Sequence, residues 1–212
     1  MTQVEINKQV CLSPHFTLGE MCKTSARTPD GNIPSHVHIE NLKRLCGWLE
    51  KLRERYNLRY VYEKKERSVS PPKFFAEQSG KAERGGARGG LNSGIYSASS
   101  DHPAHTGTPP NLGGEKDTEE PIVINSGYRS EAVNKAVGGV KGSNHVTGCA
   151  VDIRVAGIEQ LVRYATILLD ISDESQEDFD ELLMERSPKG TYWLHFAVRP
   201  SGNRRKVRLI QT

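Results

Sequence analysis

A stretch of 56 residues in the middle of the chain, Lys64 to Glu119 (119 − 64 + 1), most limits what the sequence can fold into. Its composition is Gly, Ser, Pro and charge, as in GKAERGGARGGLNSGIYSASSDHPAHTGTPPNLGG. Such a segment cannot bury enough apolar surface to offset its ordering entropy, so it is expected to be a disordered or loosely held insertion. A chain of 212 residues suffices for one well-buried domain and is short for two. The expected organisation is therefore a single domain over 1–212 with 64–119 inserted into it. A mean hydropathy of -0.59 agrees with a segment that adds nothing to the core. His102 and His105 lie inside the insertion and are poor ligand candidates, because a metal site needs its ligands on rigid elements.

On either side of the insertion the sequence is patterned. Thr17 and Glu20 in FTLGEM form a T-x-x-E capping box, and Ser35 precedes a helical stripe of Ile39, Leu42, Leu45, Cys46, Leu49, Leu52 and Tyr56. After the insertion come a short β-rich run, Pro121 to Asn125, and a helix from about Glu131 that stops at Gly138 and Gly139. The strand CAVDIRV follows, then an amphipathic helix carrying Ile158, Leu161, Val162, Ala165 and Leu169. Two strands, ELLMER and TYWLHFAVR, joined by the turn-like SPKG, end the pattern. This order predicts an α+β domain, a small antiparallel or mixed sheet with helices packed on it.

The formal charge is +3, and basic residues are interspersed with acidic ones until RPSGNRRKVR near the C-terminus. That run is read as a solvated terminal face, and no nucleic-acid partner is expected. Cys11, Cys22, Cys46 and Cys149 stand far apart with no CxxC pair, which predicts reduced, mostly buried thiols rather than a disulfide framework or a thiolate zinc cluster.

Three residues have the chemistry of a catalytic metal site. Zinc takes imidazole nitrogen and carboxylate oxygen at about 2.0 to 2.2 Å, and a catalytic zinc keeps three protein ligands and one open position. In SNHVTGCAVDI, Gly148 lets the loop turn back so that His145 and Asp152 can converge. Strand alternation sets Val151, Ile153 and Val155 on one face and Ala150, Asp152 and Arg154 on the other, and Cys149 falls on the apolar side. In TYWLHFAVR the same alternation turns Leu194, Phe196 and Val198 to the core and Trp193, His195 and Ala197 away from it. His195 can meet Asp152 if the two strands pair. A structural hydrogen-bonding role accounts equally well for any one of these residues taken alone.

The blocks SGYRSEAVNKAVGG, SNHVTGCAVDI and WLHF resemble the three signature blocks of the zinc D-Ala-D-Ala carboxypeptidase family, which includes hedgehog-like zinc domains and phage endolysin peptidases. The stretch from Phe16 to about Tyr56 is similar to that family's leading helices. The resemblance implies a hedgehog/DD-peptidase-like fold with one Zn2+ held by His145, Asp152 and His195. It implies that Arg129 binds a substrate carboxylate or polarises the scissile carbonyl, a role suited to a permanently charged guanidinium, and that Ser143 supports the site. Trp193, beside the last His, is assigned to substrate binding.

Many relatives carry a catalytic Glu three residues before the last His, where this chain has Tyr192; others carry it at the end of the preceding strand, where this chain has Glu185. Glu185 is taken as the general base, with Glu181 or Asp180 the alternatives if the register slips. The activity implied is hydrolysis of a peptide bond in peptidoglycan stem peptides by a monomer, and the alternative is a zinc-stabilised module that binds cell wall or peptide without cutting. The sequence opens on no apolar stretch of signal-peptide length, and nowhere are 18 apolar residues consecutive. The expectation is a chain made in the cytoplasm, without a membrane span, that reaches the cell wall or periplasm by another route.

Overall fold

The computed structural model describes Asn7, residues 9–62 and residues 119–211. All of these fall in one compact unit, Met1–Glu66 together with Glu119–Thr212. The expected insertion lies outside the described residues, His102 and His105 included, apart from Glu119, whose carboxylate pairs with Arg53.

Helix α1, Leu18–Met21, starts at the anticipated capping box, with Thr17 and Glu20 each bonding the other's backbone N–H. Helix α2, His36–Tyr56, is capped by Ser35, and its stripe is the core: Leu42, Leu45, Cys46, Leu49 and Leu52 are fully buried. Each such aliphatic side chain contributes about 1.5 to 3 kcal/mol by leaving water. A π-helical turn, Asn57–Tyr62, follows. After Glu119 the order is β1 (Ile124–Ser126), α3 (Glu131–Ala136), β2 (Ala150–Arg154), α4 (Ile158–Ser175), β3 (Glu181–Arg186), β4 (Tyr192–Ala197) and β5 (Lys206–Gln211).

The five strands form one sheet in the order β1-β2-β4-β3-β5, antiparallel except for β3 and β5. The mixed sheet with helices against it is the α+β architecture anticipated from the sequence. Helices α2 and α4 cover one face, where Trp48 meets Phe196 at 5.4 Å and Tyr56 meets Tyr164 edge-on at 4.8 Å. Val151, Ile153, Leu182, Leu194 and Phe196 point into this layer, as alternation requires. Asp152, His195 and Leu183 stand in one row on the opposite face.

Three sequence readings change. The RPSGNRRKVR run is largely exposed, as expected of a solvated face, but its last three residues open a strand the sequence did not predict, β5, and Arg199, Arg204, Arg205 and Lys206 all pair with carboxylates. Charged residues concealed this strand, whose partner β3 lies some way back in the chain. Ile158 and Val162 on α4 are half exposed, because the buried face runs through Leu161, Tyr164, Leu168 and Ile171. Strand β1 begins three residues later than expected and is irregular. Ile124 faces Ile153 and Ser126 faces Asp152, so β1 spends one more residue than β2. Such a bulge re-aims side chains, and here it brings Ser126 beside Asp152.

Candidate metal centre

Strand register brings the first two groups together. Asp152 and His195 are directly opposed on β2 and β4, and His195 Nδ1 lies 2.9 Å from Asp152 Oδ1. His145 arrives from the loop between α3 and β2, with Nε2 at 3.2 Å from the same oxygen and 3.3 Å from His195 Nδ1. The loop holds this pose by local bonds. Ser143 Oγ accepts from the His145 N–H at 3.3 Å, and the Cys149 N–H reaches the Asn144 carbonyl at 2.9 Å.

Gly148 is needed at its position twice over. Its φ of +71° is left-handed, and a Cβ there would stand 2.7 Å from the His38 carbonyl oxygen on α2. Gly148→Ala is therefore expected to lower stability by about 2 to 4 kcal/mol, adding left-handed strain to overpacking against backbone. Urea denaturation measures this, and an unchanged midpoint would mean the loop is not wedged against α2.

The tautomer of His145 follows from its second nitrogen. Nδ1 lies 2.6 Å from the Gly127 carbonyl, which can only accept, so Nδ1 carries the proton and the Nε2 lone pair faces the cluster. Gly127 is itself pressed against α1: a Cβ there would lie 2.3 Å from the Met21 carbonyl oxygen. A backbone carbonyl fixing the outer nitrogen is the usual support of a ligating imidazole.

His145 Nε2, Asp152 Oδ1 and His195 Nδ1 form the group among the described residues that could hold a metal ion. Their separations fit that use. Ligands at about 2.0 to 2.1 Å in a tetrahedron are about 3.3 to 3.4 Å apart, against 2.9 to 3.3 Å here. Two imidazoles and one carboxylate also match the donor types of a catalytic centre that retains an open position.

Electrostatics bind the cluster together. Burial alone would raise the Asp152 carboxyl, but its contacts with the two imidazoles outweigh it and hold the group well below the ordinary carboxylate range. Burial would lower the His195 imidazole, yet the Asp152 and Glu181 carboxylates raise it to about 9.

Arg129 donates through Nη2 to Asp152 Oδ2 at 2.5 Å and through Nε to Ser126 Oγ at 2.8 Å. It thus fixes the carboxylate that presents Oδ1 to the two histidines. Trp193 is half-buried and stands in a sheet row with Glu185 and Arg154, one row from His195 on the same face. Glu185 is likewise half-buried, and burial raises its carboxyl above the usual value. No register slip occurs, since the Ser187–Gly190 turn closes with the Ser187 N–H on the Thr191 carbonyl at 2.9 Å.

The alternative carboxylates are each held by cationic partners. Asp180 is fully buried with both oxygens held by Arg204, at 2.8 and 2.7 Å. Glu181 stands 3.7 Å from His195 Nε2, an ion-pair distance, and is held well below the ordinary range by His195 and Lys206. Tyr192, where many relatives carry their Glu, packs against the core, as its parity with Leu194 requires. Cys149 is buried and bonded to the Thr147 carbonyl, outside the cluster, and all four cysteines are free.

Sequence reasoning missed the Gly127 carbonyl, Ser126 and Glu181 as partners of these groups. Only Glu181 left a signal, sharing strand parity with Glu185.

Two imidazoles and a carboxylate come together at one point, on the sheet face opposite the helices, as a candidate metal-binding centre. The profile of the family described as Peptidase M15 matches residues 114–171, a span of 58 residues (171 − 114 + 1). That span contains Arg129, Ser143, His145 and Asp152 and ends before Glu185 and His195. The match and the His-Asp-His cluster together support a metal-dependent peptidase of the M15 family. A comparison with curated proteins gives no match. Among the described residues, no helix is long and apolar enough to cross a membrane.

Proposed function

We propose that this chain is a zinc metallopeptidase that hydrolyses a peptide bond in peptidoglycan stem peptides, as a D-Ala-D-Ala carboxypeptidase or a related endopeptidase. The observation carrying this reading is the convergence of His145 Nε2, Asp152 Oδ1 and His195 Nδ1 on a sheet face that also presents Glu185.

In this reading those three atoms hold one Zn2+, which supplies Lewis acidity toward the scissile carbonyl and toward the attacking water. Glu185 accepts the proton of that water and returns it to the leaving amine; its raised carboxyl brings the base nearer the working pH. Arg129 keeps Asp152 in place, and its remaining donor capacity is available to a substrate carboxylate or carbonyl. Ser143 fixes the His145 backbone, and Trp193 offers an apolar surface to the substrate. No side chain acts as nucleophile.

The test uses the full chain with purified muropeptides and mass spectrometry of the products. New fragments are expected from the metal-loaded protein, none after chelation, and recovery on adding Zn2+. The masses identify the bond. Cleavage that survives in metal-free protein would overturn the reading, and metal binding without any cleavage would leave a zinc-stabilised binding module in its place.

A further inference from the structure

One carboxylate near the centre belongs neither to the candidate ligands nor to the proposed base. Glu181 opens β3 on the same face as His195, and its Oε2 lies 3.7 Å from His195 Nε2, the imidazole nitrogen turned away from Asp152. The same Oε2 accepts from Asn144 Nδ2 at 3.1 Å, and Asn144 immediately precedes His145. The other oxygen, Oε1, takes Lys206 Nζ at 2.8 Å and Arg204 Nη2 at 3.0 Å, both from the segment that forms or leads into β5. Asn144 Nδ2 also donates to Asp180 Oδ2 at 2.8 Å, so two consecutive carboxylates, one just before β3 and one opening it, grip the residue beside His145. One acidic group thus touches the supports of both histidines and is itself held by the C-terminal strand.

We propose that Glu181 is a positioning residue of the metal centre, pairing with His195 Nε2–H so that Nδ1 is the ligating nitrogen, and that Lys206 and Arg204 hold it there. The assignment rests on the metallopeptidase reading. An imidazole that ligates through Nδ1 has its one N–H at Nε2, and a carboxylate there fixes the tautomer and the ring plane. His145 is served the same way, with a backbone carbonyl as the outer partner. Strand β5 is therefore a working part of the centre. Lys206 on the strand and Arg204 just before it neutralise Glu181 from behind and keep it aimed at His195.

The experiment measures Zn2+ affinity by competition with a chromogenic chelator, the visible spectrum of the Co2+-substituted protein, and thermal unfolding of the metal-free protein. Wild type, Glu181→Ala, Glu181→Gln and Lys206→Met are compared as full chains. Glu181→Ala is expected to weaken metal binding by about 10- to 100-fold and to shift the Co2+ bands. Glu181→Gln, which keeps an acceptor without the charge, should fall between Glu181→Ala and wild type. Lys206→Met should move affinity and spectrum in the same direction by less.

A Glu181→Ala protein with wild-type affinity and an unchanged Co2+ spectrum overturns the proposal, even if its melting temperature falls. Failure of wild type itself to bind metal would instead overturn the metallopeptidase reading.

Discussion

Glu185→Gln is expected to retain its metal and lose about 10²- to 10⁴-fold in turnover, the usual range for removing a positioned general base. The amide has nearly the volume of the carboxylate but cannot take a proton, so only the acid–base function is removed. Three acidic residues in and just before β3, Asp180, Glu181 and Glu185, are candidates for the base. Glu185 shares the sheet face of His195, one row along, and burial raises its carboxyl. Glu181 is lowered by His195 and by Lys206, which makes it a poor proton acceptor, and Asp180 is buried beneath Arg204. Metal content by elemental analysis and single-turnover rates on muropeptides check the expectation. A Glu185→Gln protein that cleaves at the wild-type rate would move the base elsewhere, and one that loses its metal would make Glu185 part of the metal's own support.

How much of this centre can be read from sequence depends on the range of the interaction. Alternation along CAVDIRV and TYWLHFAVR already separates Asp152 and His195 from the apolar face, because that face must be buried against helices. It does not give the pairing. That Asp152 meets His195, rather than standing two residues away, is set by the β2–β4 register, to which the whole strands contribute.

Gly148 is legible as a turn residue, whereas its contact with the His38 carbonyl depends on the docking of α2. The Gly127 carbonyl that orients His145 has no side-chain signature at all. Strand β5 is the largest omission. Its alternation is masked by Arg and Lys, and their carboxylate partners on and before β3 become neighbours only when the parallel pair forms. The basic run is solvated, as read, and it is also where the sheet ends and where Glu181 is held.

The substitution with the widest consequence changes one atom. Asp152→Asn preserves size and shape but replaces one carboxylate oxygen by an NH2 group and removes the charge. The two oxygens have opposed duties: Oδ1 faces His145 Nε2 and His195 Nδ1, and Oδ2 accepts from Arg129 Nη2. If the amide nitrogen takes the Oδ2 position, two donors confront each other across the 2.5 Å contact with Arg129. If it takes the Oδ1 position, the centre loses its one anionic donor and gains N–H bonds aimed where a cation would sit. Neither rotamer preserves the site.

Changing a residue that merely orients a ligand costs about 10- to 100-fold in metal affinity. Losing a charged ligand should exceed that and bring turnover to background. Dialysis against metal-free buffer followed by elemental analysis is expected to find the wild type loaded and Asp152→Asn empty. Added Zn2+ should restore no cleavage at concentrations that saturate wild type. The variant should also be less stable, since in either rotamer the half-buried Arg129 guanidinium loses the negative charge it faces. An Asp152→Asn protein that keeps one metal per chain and cleaves normally would remove Asp152 from the ligand set, and with it the reading of this sheet face as a metal centre.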